Sequence, residues 1–189
     1  MPQSKVLVDT NSYLRLARSI HPLLFQTFGK DEYCLYVLPE LDEEFGKSQR
    51  LQNNFSWAEE EEYRLNRQHF PVISKKQTKE VDTAFGYIWN HIISVEKGPS
   101  PVDARYLAYA YVLGITVVTD DIKMLAVAET FGIKTLKSLD LMKLMVECDH
   151  IDMSKVREIV SYWRYWGDMP AGVEDFKAHY LQLFDEDPP

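Results

Sequence analysis

The chain has 189 residues, of which 46% are hydrophobic, and it carries a formal net charge of −8. That length suits one domain with a small appendage and supplies enough apolar side chain for a buried core. No apolar run approaches the roughly 20 residues of a membrane helix, and the start of the chain lacks the apolar stretch and cleavage site of a secretory signal, so a cytoplasmic protein without a membrane span is expected. The acidic balance argues against a broad basic surface of the kind many nucleic-acid binders carry.

In chain order, Val6, Leu7 and Val8 form a short apolar run that ends at Asp9-Thr10-Asn11. This reads as a buried strand followed by a turn, with Thr10 or Asn11 able to cap the next helix. Tyr13, Leu14, Leu16, Ala17 and Ile20 then make a helical stripe. Residues 34–38 (CLYVL) read as a second buried strand, and Pro39 sits where a helix begins, because its missing N–H costs nothing in a first turn. Residues 46–98 read as helical throughout, with a charged helix over 57–67 holding four consecutive glutamates (Glu59 to Glu62) and a Glu60–Arg64 pair one turn apart. A further helix over 78–93 places Val81, Phe85, Ile88 and Ile92 on one face. Gly98-Pro99-Ser100-Pro101 breaks the chain. A helix over 102–113 ended by Gly114, a strand over 115–118, a helix opened by Asp120-Asp121 and closed by Gly132, a short strand over 134–136 and a helix over 139–146 follow. From about residue 151 the chain is aromatic and purely helical. Alternating strands and helices predict an α/β fold with a parallel sheet covered on both faces.

In open parallel sheets, ligands bind beyond the carboxyl ends of the strands. Asp9 directly follows the first strand, Glu44 and Glu40 lie on the helix after the second, Asp103 starts the helix after the Gly-Pro break, and Asp120 and Asp121 follow the third strand. Carboxylates gathered without counter-charge repel and partly protonate, and a hard divalent cation relieves this. Each acid also has a plainer reading: Asp9, Asp103 and Asp121 are well placed to cap helices, and Glu44 could be a solvated helix residue. Arg15 and Arg18 could contact a phosphate or simply face solvent. Tyr162, Trp163, Tyr165 and Trp166 could stack bases, although Val156, Ile159, Val160 and Trp163 follow the spacing of a core face. Cys34 and Cys148 lack metal-ligand spacing and are expected as reduced thiols; the five histidines show no paired metal spacing, and no Gly-rich nucleotide loop is present.

Three segments resemble the PIN-domain family. VLVDTNSYLRLA is similar to the family's opening strand, Asp and helix; LYVLPELDEEF resembles its second strand and helix, placing the family glutamate on Glu44, with Glu40 and Glu43 as alternatives; SPVDARYLAYAYVLGITVVTDD resembles the third segment, with Asp103 and then Thr119-x-Asp121. The resemblance spans about residues 5–147. It implies a three-layer, Rossmann-like sheet flanked by helices: residues 1–147 as a nuclease domain elaborated by helices over 46–98, and residues 148–189 as a helical extension on the same domain. It further implies an RNA-cleaving hydrolase that binds Mg²⁺ or Mn²⁺ through Asp9, Glu44, Asp103, Asp120 and Asp121, with Asp9, Glu44, Asp103, Asp121 and Thr119 as catalytic residues. Many PIN proteins are VapC-type toxins, so a cognate antitoxin and a homodimer are expected partners beside the RNA substrate. Two other readings compete. A haloacid-dehalogenase-like phosphatase would need Asp where Asn11 stands, and a PIN-fold scaffold without catalysis would keep the fold but not bind the metal.

Overall fold

The structure, a computed structural model, describes residues 3–95, 98–170 and 173–189. Its centre is strand β1 (Ser4–Val8). β2 (Thr27–Phe28), β3 (Tyr33–Tyr36), β4 (Thr116–Val118) and β5 (Thr135–Leu136) complete a five-stranded sheet in the order β2-β3-β1-β4-β5. β1 pairs in parallel with β3 on one side, setting Leu7 beside Tyr36, and with β4 on the other, setting Val8 beside Val118. β4 and β5 are also parallel, whereas β2 runs antiparallel to β3 at the sheet edge. The antiparallel edge departs from the all-parallel expectation. Its two residues are too few to carry an alternating pattern that the sequence could display.

Pleating sends successive β1 side chains to opposite faces. Val6 and Val8 join one buried cluster with Leu35 and Val118. Leu7 joins the other with Cys34, Tyr36 and Val117. Helices cover both faces. On the first lie α1 (Thr10–Leu16), α2 (Glu40–Lys47), α3 (Gln49–Asn54) and α4 (Glu61–Asn66). On the second lie α5 (Lys75–Ser94), α6 (Pro101–Leu113) and α7 (Ile122–Thr130). α8 (Ser138–Glu147), α9 (Met153–Trp166) and α10 (Val173–Phe184) return to the first face, where Val156, Ile159, Val160, Trp163 and Tyr180 are buried in the same cluster as Val6 and Val8. The molecule is therefore an α/β protein with a mostly parallel sheet flanked by helices, an arrangement compatible with a Rossmann-like fold. Among the described residues no helix is long and apolar enough to cross a membrane.

Residues 46–98 are less continuous than the sequence suggests. A short 3-10 turn (Ser56–Glu59) precedes α4, and Glu60 between them is extended. The break brings Trp57 and Tyr63 together. Six residues apart in one helix they would point about 120° away from each other. With the break at Glu60 both are buried, and their rings meet edge to face with centroids 4.6 Å apart. The four glutamates 59–62 are exposed. Residues 67–74 are not helical either. Arg67 there is 2% exposed and donates to Asp42 at 2.7 Å and to the Ala58 carbonyl at 2.6 Å. α5 buries Val81, Ala84, Ile88 and Ile92, while Phe85 is only partly covered. Gly114 closes α6 in the left-handed conformation (φ 64°), which glycine adopts without Cβ strain, and turns the chain into β4.

Candidate active site

The strand order places the reversal of the sheet at β1, with the chain crossing to β3 on one side and to β4 on the other. A crevice at the carboxyl ends of the strands is the usual ligand site at such a switch point. Asp9 leaves β1 there and Thr119 leaves β4 there. Their backbones continue the ladder by one rung, Asp9 N–H donating to Val118 at 3.0 Å and Thr119 N–H to Leu136 at 2.9 Å.

Asp9 is the N-cap of α1, accepting from the Ser12 N–H at 2.6 Å through one oxygen and from the Thr119 hydroxyl at 2.6 Å through the other. The cap falls on Asp9 rather than on Thr10 or Asn11, which lie inside the helix. The side chain is 3% exposed. Burial pushes its carboxyl from the ordinary 3.8 up to about 7; the Thr119 and Ser12 hydrogen bonds pull it back only partly, and the nearby Asp120 charge adds a little more. Thr119 is fully buried, and its hydroxyl also accepts from the Asp121 N–H at 3.2 Å. One threonine thus ties the loop after β4 to the acid after β1.

Asp103 occupies the first turn of α6 in a reciprocal cap. It accepts from the Ser100 N–H at 2.8 Å, and its own N–H donates to the Ser100 hydroxyl at 3.2 Å. Its carboxyl lies above the ordinary range, chiefly through burial, with the negative charges of Glu44 and Asp121 adding to the rise. Those charges bring acids from α2, α6 and the start of α7 into one neighbourhood. Asp121 is exposed and caps α7, accepting from the Lys123 and Met124 N–H groups, each at 2.8 Å.

The three glutamates of α2 separate by partner. Glu43 is exposed and pairs with Lys47 at 3.4 Å. Glu40 pairs with Arg105 at 3.3 Å, and its second oxygen is buried without a hydrogen-bond partner among the described residues. Glu44 is half-buried, and its charge reaches both Asp103 and Tyr106.

Asp120 is held differently. One oxygen accepts from the Ser138 N–H at 2.9 Å, and the other from the Ser138 hydroxyl at 2.6 Å and from Arg15 at 3.4 Å. Arg15 continues to Asp168 at 3.1 Å. Like Asp9, Asp120 has a partner on each oxygen, and its contacts tie β4 to α1 and α8.

No protein-family model matches the chain, and no curated protein matches it.

Two residues at the site are absent from the sequence reading. Tyr106 is fully buried on α6, three residues after Asp103, and its hydroxyl accepts from the Leu38 N–H at 3.1 Å. Burial, joined by the charges of Asp9, Glu40 and Glu44, pushes the phenol well above its ordinary range, so it stays a neutral group with a proton to donate. Its spacing of three from Asp103 on one helix was the available signal. Ser138 carried none, since its partner Asp120 is met only through the pairing of β4 with β5.

Carboxylate oxygens are the donors that Mg²⁺ and Mn²⁺ take. The raised carboxyls of Asp9 and Asp103 fit a cation in kind, because burial disfavours their charged form and a bound cation would favour it. In position the set is open: among the described residues no three His, Cys, Asp or Glu side chains stand close enough to hold an ion together. Cys34 and Cys148 are free thiols.

Proposed function

We propose that the protein is a metal-dependent ribonuclease of the PIN type, hydrolysing RNA phosphodiester bonds at the crevice formed by Asp9, Glu44, Asp103 and Asp121. The observation that carries this reading is Asp9: a buried carboxyl, raised to about 7, at the switch point of a parallel sheet, with the Asp120 charge beside it and Glu44 sharing with it the surroundings of Tyr106. A purely structural cap would gain from solvation and full ionisation; this one is 3% exposed, and burial pushes its carboxyl up to about 7.

Asp9, Glu44, Asp103 and Asp121 are the residues that would hold Mg²⁺ or Mn²⁺. The chemistry such an ion supplies when bound is the acidification of a water and the neutralisation of charge on a phosphodiester. The remaining roles belong to the chain. The Thr119 hydroxyl and the Ser12 N–H fix the Asp9 carboxyl in one orientation. Asp103, kept high chiefly by burial and further by the charges of Glu44 and Asp121, is able to exchange a proton nearer neutral pH than an ordinary aspartate. Tyr106 stays a neutral hydroxyl held against the Leu38 N–H, and Asp120 with Arg15 and Ser138 fixes the loop that follows β4. On the same reading the protein works in the cytoplasm, and a cognate antitoxin and a homodimer are the partners that the PIN resemblance implies.

The test is incubation with labelled single-stranded RNA and DNA in Mn²⁺, Mg²⁺ or EDTA, alongside Asp9→Asn and Asp103→Asn. RNA cleavage is expected with either metal, is lost in EDTA, and falls by about two orders of magnitude or more in each variant. Cleavage that persists in both variants would place the chemistry elsewhere. A catalytically inactive PIN-fold scaffold is the second reading, favoured by the open spacing of the acids. Absence of cleavage together with absence of Mn²⁺ binding would establish that reading instead.

A further inference from the structure

Beside the acid crevice runs a groove of about 750 Å³ between α1, α3 and the last turn of α9. Its walls differ in chemistry from the rest of this acidic molecule. Arg15 from α1, Arg18 from the turn after it and Arg50 from α3 line it, against the two acids Glu60 and Asp168. Arg15 is neutralised by Asp120 and Asp168. Arg15, Arg67, Arg105 and Arg157 all pair with carboxylates. Arg18 and Arg50 pair with none among the described residues, and both are exposed. Arg64 and Arg164 also lack carboxylate partners among the described residues but lie away from the groove lining, so Arg18 and Arg50 supply its free positive charge.

The aromatic side of the groove is equally distinct. α9 turns Trp163 into the core at 1% exposure, but Trp166 is 63% exposed and its neighbour Tyr165 is 82% exposed. Tyr162 and Trp166 stand one helical turn apart with ring centroids 6.1 Å from each other. The Tyr162 hydroxyl accepts from Arg18 at 2.5 Å, and the Arg18 guanidinium lies 5.6 Å from the Tyr162 ring centroid. Arg18 is thus held in place before any ligand arrives, with other N–H groups still free to bind. Asn53 and Asn54 of α3 add amides to the opposite wall. Asn11, two residues beyond Asp9, lines the end of the groove next to the crevice.

We propose that this groove binds single-stranded RNA and leads it to Asp9, with bases stacked on Trp166 and Tyr162 and phosphates met by Arg18 and Arg50. The proposal rests on the ribonuclease reading for the direction of the path, and its chemistry comes from the groove. Unpaired cations meet a phosphate backbone, an exposed indole offers a face to an unstacked base, and amides satisfy base edges or 2′-hydroxyls. A duplex, whose bases are already stacked, has no use for the aromatic wall. The groove also answers a difficulty of the crevice itself, which as a cluster of acids would repel a polyanion. Two unpaired guanidinium groups alongside supply the local attraction that the molecule as a whole lacks.

The experiment is fluorescence anisotropy with a labelled single-stranded oligouridylate, in EDTA to stop cleavage, over a salt titration. The wild-type chain is compared with Arg50→Glu and Trp166→Ala, both at exposed positions, with melting temperatures confirming that each variant folds. Arg50→Glu is expected to weaken binding at least about tenfold and to lower the salt slope by about one. Trp166→Ala is expected to weaken it about tenfold with the slope unchanged. RNA that fails to bind, binding indifferent to both substitutions, or tighter binding of duplex RNA or single-stranded DNA would overturn the proposal. The two readings fail separately. Sensitive binding without cleavage in any metal would retain the groove and remove the nuclease, whereas cleavage with binding that ignores both substitutions would do the reverse.

Discussion

Asp9 shows what burying a single carboxyl costs in stability. Folding moves its carboxyl from 3.8 to about 7, so over that interval the native chain holds a proton that the unfolded chain has released. Stability therefore falls as pH rises from about 4 to about 7 and stays lowered above that. At about 1.4 kcal/mol per pKa unit the cost reaches at most about 4 kcal/mol. The expected outcome, in EDTA, is a melting temperature that drops from about pH 5 to about pH 8 more steeply in the wild type than in Asp9→Asn, which cannot ionise. Added Mn²⁺ should then raise the wild-type melting temperature most at the alkaline end, where Asp9 is charged, because a ligand that binds only the native state stabilises it. Parallel curves for the two proteins would show that Asp9 is ionised in the folded chain and would remove the basis for the crevice chemistry. At this scale the sequence revealed the acids but not their partners. Asp9, Asp103 and Asp121 stand at strand or helix ends, where the local pattern marks them. Thr119 holds Asp9 across 110 residues, a pairing that only the β1–β4 register creates.

Elements follow a similar division between local and long-range causes. α5, α6 and α8 were legible because apolar residues recur at helical spacing and Gly114 marks the end of α6, whereas the Ser74–Gln77 box starts α5 three residues before the expected 78. The break at Glu60 was not, because a run of four glutamates reads as one solvated helix, and the meeting of Trp57 with Tyr63 across it is seen only in three dimensions. β2 was not, because two residues beside β3 have no pattern of their own. The Ser100 cap links an element to the site, since the hydroxyl that starts α6 also restrains Asp103. Ser100→Ala is expected to cost about 1 kcal/mol of stability, as N-cap losses do, and to lower cleavage activity by loosening Asp103. Asp103→Asn, which can keep an acceptor for the Ser100 N–H, should cost less stability and more activity. Chemical denaturation and a cleavage assay on both variants measure this contrast. Equal losses in both quantities would mean that Asp103 acts only as a cap.

At the scale of the molecule, the sheet divides the interior into two buried clusters, and the C-terminal helices decide how the first is closed. Trp163 of α9 is 1% exposed in the cluster that holds Val6, Val8 and Leu35, and its indole N–H donates to the Arg15 carbonyl at 3.0 Å. Arg15 in turn pairs with Asp120, so α9 packs on the same helix whose N-terminus carries Asp9 and whose side chain anchors the loop after β4. A chain built this way should lose α9 and the sheet together. Trp163→Ala is expected to destabilise the protein by about 3–5 kcal/mol, the range for truncating a buried aromatic. Because both readouts depend on one core, unfolding followed by helical circular dichroism and by tryptophan fluorescence should give coincident midpoints in the wild type and in the variant. Two separated transitions, with the variant shifting only the earlier one, would mean that residues 148–189 form a unit whose stability is independent of the sheet. The groove between α1, α3 and α9 would then have a wall that can detach, and RNA binding should track the first transition rather than the second.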